Sequence, residues 1–592
     1  MFSRNDSHKI DSEGAGGSVI SGESWFDRYA EYIIPGAAAF LLLWGLGSRT
    51  LWSSEGRWAE ITREMFLSGD FFHPTIGGEP YFDKPLITYW AIAGLKAATG
   101  RLDEFIVRLP SAIAALIALA CTMFLGKRLW SRKVGMLAGG LLLTSYGFLM
   151  YSRIASAETE NLAAIVLAVT WYWMRREKPG FASFVVFYLI MFVGAHMKGL
   201  TAFVVPVLVI LPDLLREKRW KWLFWPSHLM ALGIGMAVYL APFIYAAMTN
   251  PEGYGENGLL LVFQENIIRY VRPYDHEGPI YLYLGVVPLL TVPWAPLFIG
   301  AVIASVKSFK TLSYNTRWLI SAIALIFIFF TISGSRRNYY ILPILPFCML
   351  LMSIFLEDKE IIAKKLVLDL RNQKYTIIIA AVLEVLIAPL VVFYLIYKMD
   401  WELPALLGWS FMIVGAAALL PLIIARYATA RASRPLPRIQ PIWMQVAMSA
   451  ILMGGFFAWQ YSILDMTRTE QPFALQMKTV AQSFPHERVA FWKTNPDKQL
   501  FYMDWDLPVT MLRDEQALEN FVKDSRPGLV IAQSRYITET VAPMFPSKPA
   551  YEQETRTWET RHRKNEKRLN AWIVNPYDTQ IVSEERDVNY AE

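Results

Sequence analysis

The stretch SAIAALIALACTMFLGKRLWSRKVGMLAGGLLLTSYGFLM (111–150) decides the fold. Two apolar runs flank a turn carrying Lys127, Arg128, Arg132 and Lys133, which reads as two membrane-crossing helices, near 108–126 and 134–152, joined by a basic turn. A bilayer core of roughly 30 Å takes about 20 apolar residues per helix. Runs of that kind recur from residue 32 to residue 463, about thirteen in all by that measure, among them 160–174, 199–215 and 281–305. Composition agrees, since 54% of the 592 residues are hydrophobic, more than one soluble core requires. The chain is therefore predicted to be a polytopic α-helical membrane protein, in contact with the lipid bilayer along most of its length.

Every second connection between these runs is basic. Arg175, Arg176 and Lys178 form one such connection, Arg216, Lys218, Arg219 and Lys221 the next, and others lie within 307–317, 359–374 and 426–438. Loops rich in Lys and Arg stay on the cytoplasmic side. The pattern predicts a cytoplasmic tail over 1–31, with no signal peptide evident in it, a transmembrane domain over 32–463, and an extracytoplasmic segment over 464–592. The net charge of +6 then reports topology and gives no ground for a nucleic-acid partner. Cys121 and Cys348 both fall inside apolar runs, which argues against a disulfide framework.

The opposite face carries a different chemistry. Its longest connection, the outer loop 49–107, contains SEGRWAEITREMFLSGD (54–70), read as a helix lying on the membrane surface, and PLITYWAIAGLKAATG (85–100), too short to cross and read as a second interfacial helix. Glu55, Arg57, Asp83, Lys84, Arg153, Glu158, Lys198, Glu265, Arg269, His276, Arg336 and Arg337 all fall on this side. Ionisable groups near membrane depth are costly and tend to mark functional cavities. Gathered on one face, they predict one outward-facing site. Beyond residue 463 the chain turns polar, with strand-like ERVAFWKT (487–494) and GLVIAQS (528–534) around helix-like DEQALENFVKDS (514–525). That alternation, closed by KRLNAWIVNP (567–576), predicts a small C-terminal soluble α/β domain.

SSEGRWAEITREMFLSGDFFHPTIGGEPYFDKPLITYW (53–90) resembles the first outer loop of the bacterial aminoarabinose transferase (ArnT) family and of related protein mannosyltransferase-like enzymes of the GT-C fold. SRIASAETENL (152–162), HMKGLTAFVVP (196–206), ENIIRYVRPYDHEGP (265–279) and SRRNYYILPILP (335–346) follow in the family's order, so the resemblance covers roughly residues 30 to 360. It implies a GT-C-like glycosyltransferase of the bacterial plasma (inner) membrane, with its active site extracytoplasmic. Its donor would be a polyprenyl-phosphate-linked sugar, and its acceptor an envelope glycolipid or glycan such as lipid A.

The same resemblance assigns roles. The family's Asp-Glu-x-Arg reads Ser54, Glu55, Gly56, Arg57 here, so the first carboxylate is missing and Glu55 is the candidate to replace it as catalytic base, with Arg57 beside it. An i,i+3 pair of Arg57 with Glu60 is the plainer reading. Asp83-Lys84-Pro85 matches the family's Glu-Lys-Pro, which implies that Lys84 binds the donor phosphate and that Asp83 holds a divalent metal, with His276 as a second candidate ligand. Glu158 stands where the family carries a second catalytic carboxylate, although a carboxylate opening a helix is stabilised without any catalysis. Lys198, Arg336, Arg337, Tyr339 and Tyr340 match positions that contact the carrier phosphate; a structural ion pair and an interfacial tyrosine belt are the alternatives. The implied reaction is an inverting transfer. A protein O-mannosyltransferase-like activity is the rival within enzymes, and a polyprenyl-lipid transporter or flippase the rival outside them.

Overall fold

The computed structural model describes residues 25–576 apart from 53, 82–83, 251–252, 255–267, 269–276, 358–364, 400, 402, 432–440 and 555–566. Its first helices are α1 (Trp25–Leu43), α2 (Glu55–Ser68), α3 (Ile87–Thr99), α4 (Glu104–Leu129), α5 (Arg132–Leu143), α6 (Tyr146–Ser152), α7 (Glu158–Arg175), α8 (Phe181–Ala195), α9 (Thr201–Arg216) and α10 (Pro226–Thr249).

The predicted basic hairpin is α4 followed by α5. Each starts on a side-chain cap: Asp103 accepts from the Ile106 amide at 3.0 Å and Ser131 from the Val134 amide at 3.1 Å. The two helices meet backbone to backbone. A Cβ on Gly135 would lie 2.3 Å from the Met123 carbonyl oxygen, and one on Gly126 would lie 2.6 Å from the Gly135 Cα. Lipid tails are as apolar as the helices, so association in a membrane relies on close packing of this kind through small residues.

Among the described residues, six helices are long and apolar enough to cross a membrane, or up to eight if each of two bent pairs counts as one span. The multi-pass helical architecture follows from that, while the count of thirteen is finer than helix length carries. α7 has 18 residues with Glu158 and Glu160 in its first turn and Arg175 in its last; α9 has 16 and contains Pro206 and Pro212.

Two expected straight spans are bent. The run 134–152 breaks between α5 and α6 by 64°, and 281–305 breaks between Leu282–Leu290 and Ala295–Ser308 by 119°. The breaks satisfy each other: the Tyr146 amide donates to the Val292 carbonyl at 2.7 Å, and Trp294 Nε1 donates to Thr144 Oγ1 at 3.0 Å. Irregular backbone at membrane depth survives only where protein supplies its hydrogen bonds, and here each elbow supplies the other's.

In the loop 49–107, α2 and α3 flank a tight hairpin, β1 (Thr75–Ile76) against β2 (Glu79–Pro80), turned by Gly77 and Gly78 at φ of 66° and 83°. The helix expected to lie on the membrane surface, α2, is covered by protein. Its residues Glu55, Gly56 and Trp58 to Met65 are buried, because a second body covers them. That body is a mixed sheet in the order β4 (Thr510–Leu512), β3 (Val489–Trp492), β5 (Gly528–Gln533), β7 (Leu569–Val574), β6 (Tyr551–Glu552). β3 runs parallel to β4 and β5, and β7 antiparallel to β5 and β6. Strand alternation splits its side chains into two layers. Val489, Phe491, Leu529 and Ile531 join one core with Trp58, Ile61 and Met65 of α2, while Ala490, Trp492, Val530 and Trp572 form a second.

Candidate active site

Two buried carboxylates define the region. Glu55, the first residue of α2, is fully buried. Its Oε1 accepts from Arg108 Nε at 2.7 Å and from the Ala155 amide at 2.9 Å; its Oε2 accepts from Arg108 Nη2 and from the Trp52 amide, both at 2.8 Å. A carboxylate offers about four acceptor positions, and all are filled. Burial alone would push this carboxyl up, but the Arg108 charge and hydrogen bonds, with Arg49 and the Ala155 amide, hold it below the usual range. Arg108 spends its remaining donors on the Leu46, Arg49 and Thr50 carbonyls at 2.8 to 2.9 Å, and Arg153 donates to those of Leu41, Leu42 and Trp44 at 2.6 to 3.1 Å. These arginines satisfy the carbonyls at and just after the end of α1, and Glu55 compensates the charge of Arg108. In this arrangement the expected general base, Glu55, has every acceptor position filled by a protein donor.

Glu158 is arranged otherwise. It opens α7 directly after Ala157, whose φ of 60° puts a non-glycine residue in the left-handed region. Its Oε2 accepts from Lys198 Nζ. Lys198 stands in the turn between α8 and α9, and its ammonium lies 4.9 Å from the Tyr340 ring centroid and 5.7 Å from that of Tyr339. The two tyrosine rings are 5.2 Å apart, and Tyr151 stands 5.8 Å from Tyr339. Lys84, half-buried, acts electrostatically on Glu158. Glu158, Lys198, Tyr339, Tyr340 and Lys84 are therefore brought together from four separate segments.

The paired arginines differ. Arg336 is tied to backbone, donating from Nη1 to the Gly278 carbonyl at 2.5 Å and from Nε to that of Thr331 at 3.1 Å. Arg337 lies with its guanidinium carbon 5.9 Å from the Tyr339 ring centroid, while its carbonyl accepts from the Tyr283 hydroxyl at 3.2 Å. Of the two, Arg337 is the one facing the tyrosines. Arg57 donates to the Tyr81 hydroxyl at 2.5 Å. It does not take the expected pairing with Glu60, which belongs to Arg63 through two 2.8 Å hydrogen bonds. Asp83 and His276 lie outside the described residues, and among the described residues no group of three or more His, Cys, Asp and Glu could hold a metal ion.

Tyr151, Tyr283 and Arg108 escape sequence reasoning. The tyrosines look like interfacial belt residues, and Arg108 sits at the start of an apolar run, 53 positions from its partner. An arginine in FIVRLPSAIAAL (105–116) is the one signal that was available.

A family model described as dolichyl-phosphate-mannose-protein mannosyltransferase matches residues 83–248, a range that includes Lys84, Glu158 and Lys198. The undecaprenyl phosphate-alpha-4-amino-4-deoxy-L-arabinose arabinosyl transferase of Aeromonas salmonicida is 30% identical over 349 residues, 56% of this chain and 62% of that protein. A second such transferase, from Pseudomonas fluorescens, is 28% identical over 340 residues, 55% of this chain and 59% of that protein. The crystal structure of ArnT from Cupriavidus metallidurans bound to undecaprenyl phosphate superposes with a TM-score of 0.70 at 18% identity, covering 92% of this chain and 98% of that one. The chain is ArnT-like. The sequence matches span about three-fifths of those relatives' own length, whereas the structural match covers 92% of this chain.

Proposed function

We propose that this ArnT-like protein is an inverting glycosyltransferase that moves a sugar from a polyprenyl-phosphate carrier to an envelope glycolipid, lipid A first among the candidates. The observation that carries the reading is the meeting of Lys84, Lys198, Arg337, Tyr339 and Tyr340 around one buried carboxylate, Glu158. The acceptor oxygen attacks the anomeric carbon opposite the carrier, the bond from that carbon to the phosphate oxygen breaks, and the electron pair leaves with the polyprenyl phosphate. The cations, with Arg57 assigned among them by its motif, and the tyrosine hydroxyls stabilise the charge that builds on the phosphate, while Arg336 holds the turn that carries Arg337. As Lys198 is drawn toward that charge it loosens from Glu158, which then accepts the proton of a hydroxyl acceptor. A phosphate acceptor is already ionised and needs no base. The similarity to named undecaprenyl phosphate-aminoarabinose arabinosyl transferases supports this donor class.

The same proposal includes the finer topology: thirteen spans, a cytoplasmic N-terminus, and the site and C-terminal sheet outside the inner membrane. The basic loops support it.

The test compares lipid A, other envelope glycans and secreted proteins by mass spectrometry from cells with and without the gene. Loss of a pentose or amino sugar from lipid A is expected. Loss of a hexose from protein alone would replace this reading with protein O-mannosylation, and no change in any glycan would end it. A chelator added to the purified enzyme tests the metal at Asp83 and His276, which requires turnover to fall and a divalent ion to restore it.

A further inference from the structure

A cleft opens between α7, α8, α9 and α10 at the far end of the bundle from Glu158 and Lys198. The length of α7 puts it roughly 25 Å from the candidate active site. Trp171, Phe184, Phe187, Tyr188, Ile210 and Trp222 wall it, and it is open at its mouth.

The polar groups in and around the cleft divide into two kinds. Arg176 and Arg219 are neutralised, sharing Asp213 and Glu177. Arg175, at the mouth, is exposed and lies 5.1 Å from the Trp171 ring centroid. With the exposed Lys178, Lys218 and Lys221, it has no carboxylate within ion-pair distance among the described residues. Inside, His228 is buried; its Nε2 meets the Tyr188 hydroxyl at 2.6 Å and its Nδ1 has no hydrogen-bond partner among the described residues. One side of the cleft is formed by KRWKWLFW (218–225), whose two-turn 3-10 helix Arg219–Phe224 buries no residue and leaves Trp220, Leu223, Phe224 and Trp225 exposed. Interleaved cations and tryptophans of this sort belong to the headgroup layer of a membrane.

We propose that this cleft binds an anionic glycerophospholipid from the leaflet at that end of the bundle, with an acyl chain along the aromatic walls and the phosphate at Arg175. The choice of an amphiphile rests on apolar walls that open beside an interfacial segment. The choice of an anionic one rests on the uncompensated cations, which would repel the ammonium of a choline headgroup and favour a headgroup with net negative charge.

The test is native mass spectrometry of the full chain in detergent with phosphatidylglycerol and phosphatidylcholine of identical acyl chains. Wild type should retain phosphatidylglycerol about tenfold better. Arg175→Gln combined with Lys221→Gln should bring the two lipids to within about threefold. Arg128→Gln combined with Lys307→Gln, two cations that do not line the cleft, should leave the preference intact. Equal retention of both lipids by wild type would overturn the proposal. So would an equal loss of preference in the control pair, which would mean general surface attraction, or displacement of the lipid by inorganic phosphate alone, which would mean a simple anion site.

Discussion

Glu55 and Glu158 are both buried carboxylates paired with a cation, and the proposed function puts them in opposite relations to chemistry. Glu55 is gripped by a planar guanidinium and two backbone amides, so that every acceptor position has a fixed donor. Glu158 meets the tip of a four-carbon lysine stem under two tyrosine rings. A guanidinium holds rigidly in its plane, whereas an ammonium on a flexible stem can be drawn to another anion. Burial alone therefore does not mark a reactive carboxylate. What separates the two is whether the partner is able to leave.

The comparison is most exposed to turnover measurements with a polyprenyl-phosphate sugar and the native acceptor. With a hydroxyl acceptor, Glu158→Gln should cost about 10² to 10⁴-fold in rate while leaving the protein folded; a rate near wild type would end its role as proton acceptor. Lys84→Ala should cost about 10² to 10³-fold, and Lys96→Ala, whose ammonium rests 3.8 Å from the Phe66 ring centroid, very little. Equal losses in the two lysine variants would remove the phosphate assignment.

Glu55→Gln should act on the fold instead. It leaves Arg108 buried beside a neutral partner, a change that costs about 3 to 5 kcal/mol, so the expected result is a lower melting temperature with near-normal turnover per folded molecule. A stable protein with lost turnover would return Glu55 to catalysis. Gly56→Ala probes the neighbouring contact, since a Cβ there would lie 2.4 Å from Lys498 Cγ and 3.1 Å from the Lys498 amide nitrogen. Overpacking of this kind costs about 1 to 3 kcal/mol and should first show as protease sensitivity of the C-terminal sheet.

The smallest effect concerns pH. Burial, with Glu64 beside it, pushes the Glu60 carboxyl up to about 8 despite Arg63. The folded state then holds a proton that the unfolded chain releases near pH 4.5. Stability should fall as pH rises through that interval and level off above it. Glu60→Gln should flatten this slope in melting curves taken from pH 5 to 9, and an unchanged slope would assign it elsewhere.

Much of this molecule was legible in its residues. Lys84 was picked out by its match to a family motif and Lys198 as a cation in a turn between two apolar runs, and the hairpin of α4 and α5 is written in its basic turn. The role of Glu55 was hidden because its partner, Arg108, belongs to another helix. The elbow near Thr144 was hidden because its run contains no proline, whereas the one near Val292 was signalled by Pro288, Pro293 and Pro296; each bends where the other supplies hydrogen bonds. The burial of α2 was hidden because the strands that cover it come last in the chain.

That last fact bears on how the protein is made. About 420 residues separate Met65 of α2 from Val489, the first strand residue to share its core. A ribosome adding about 5 to 20 residues per second needs roughly 20 to 80 s to cover that distance. Throughout that interval Trp58, Ile61 and Met65 wait without their partner while the membrane helices are still being inserted. Until the sheet arrives α2 has only its own loop, Leu86, Tyr89 and Ile92, to pack against, and any slowing of translation between the two segments lengthens the wait.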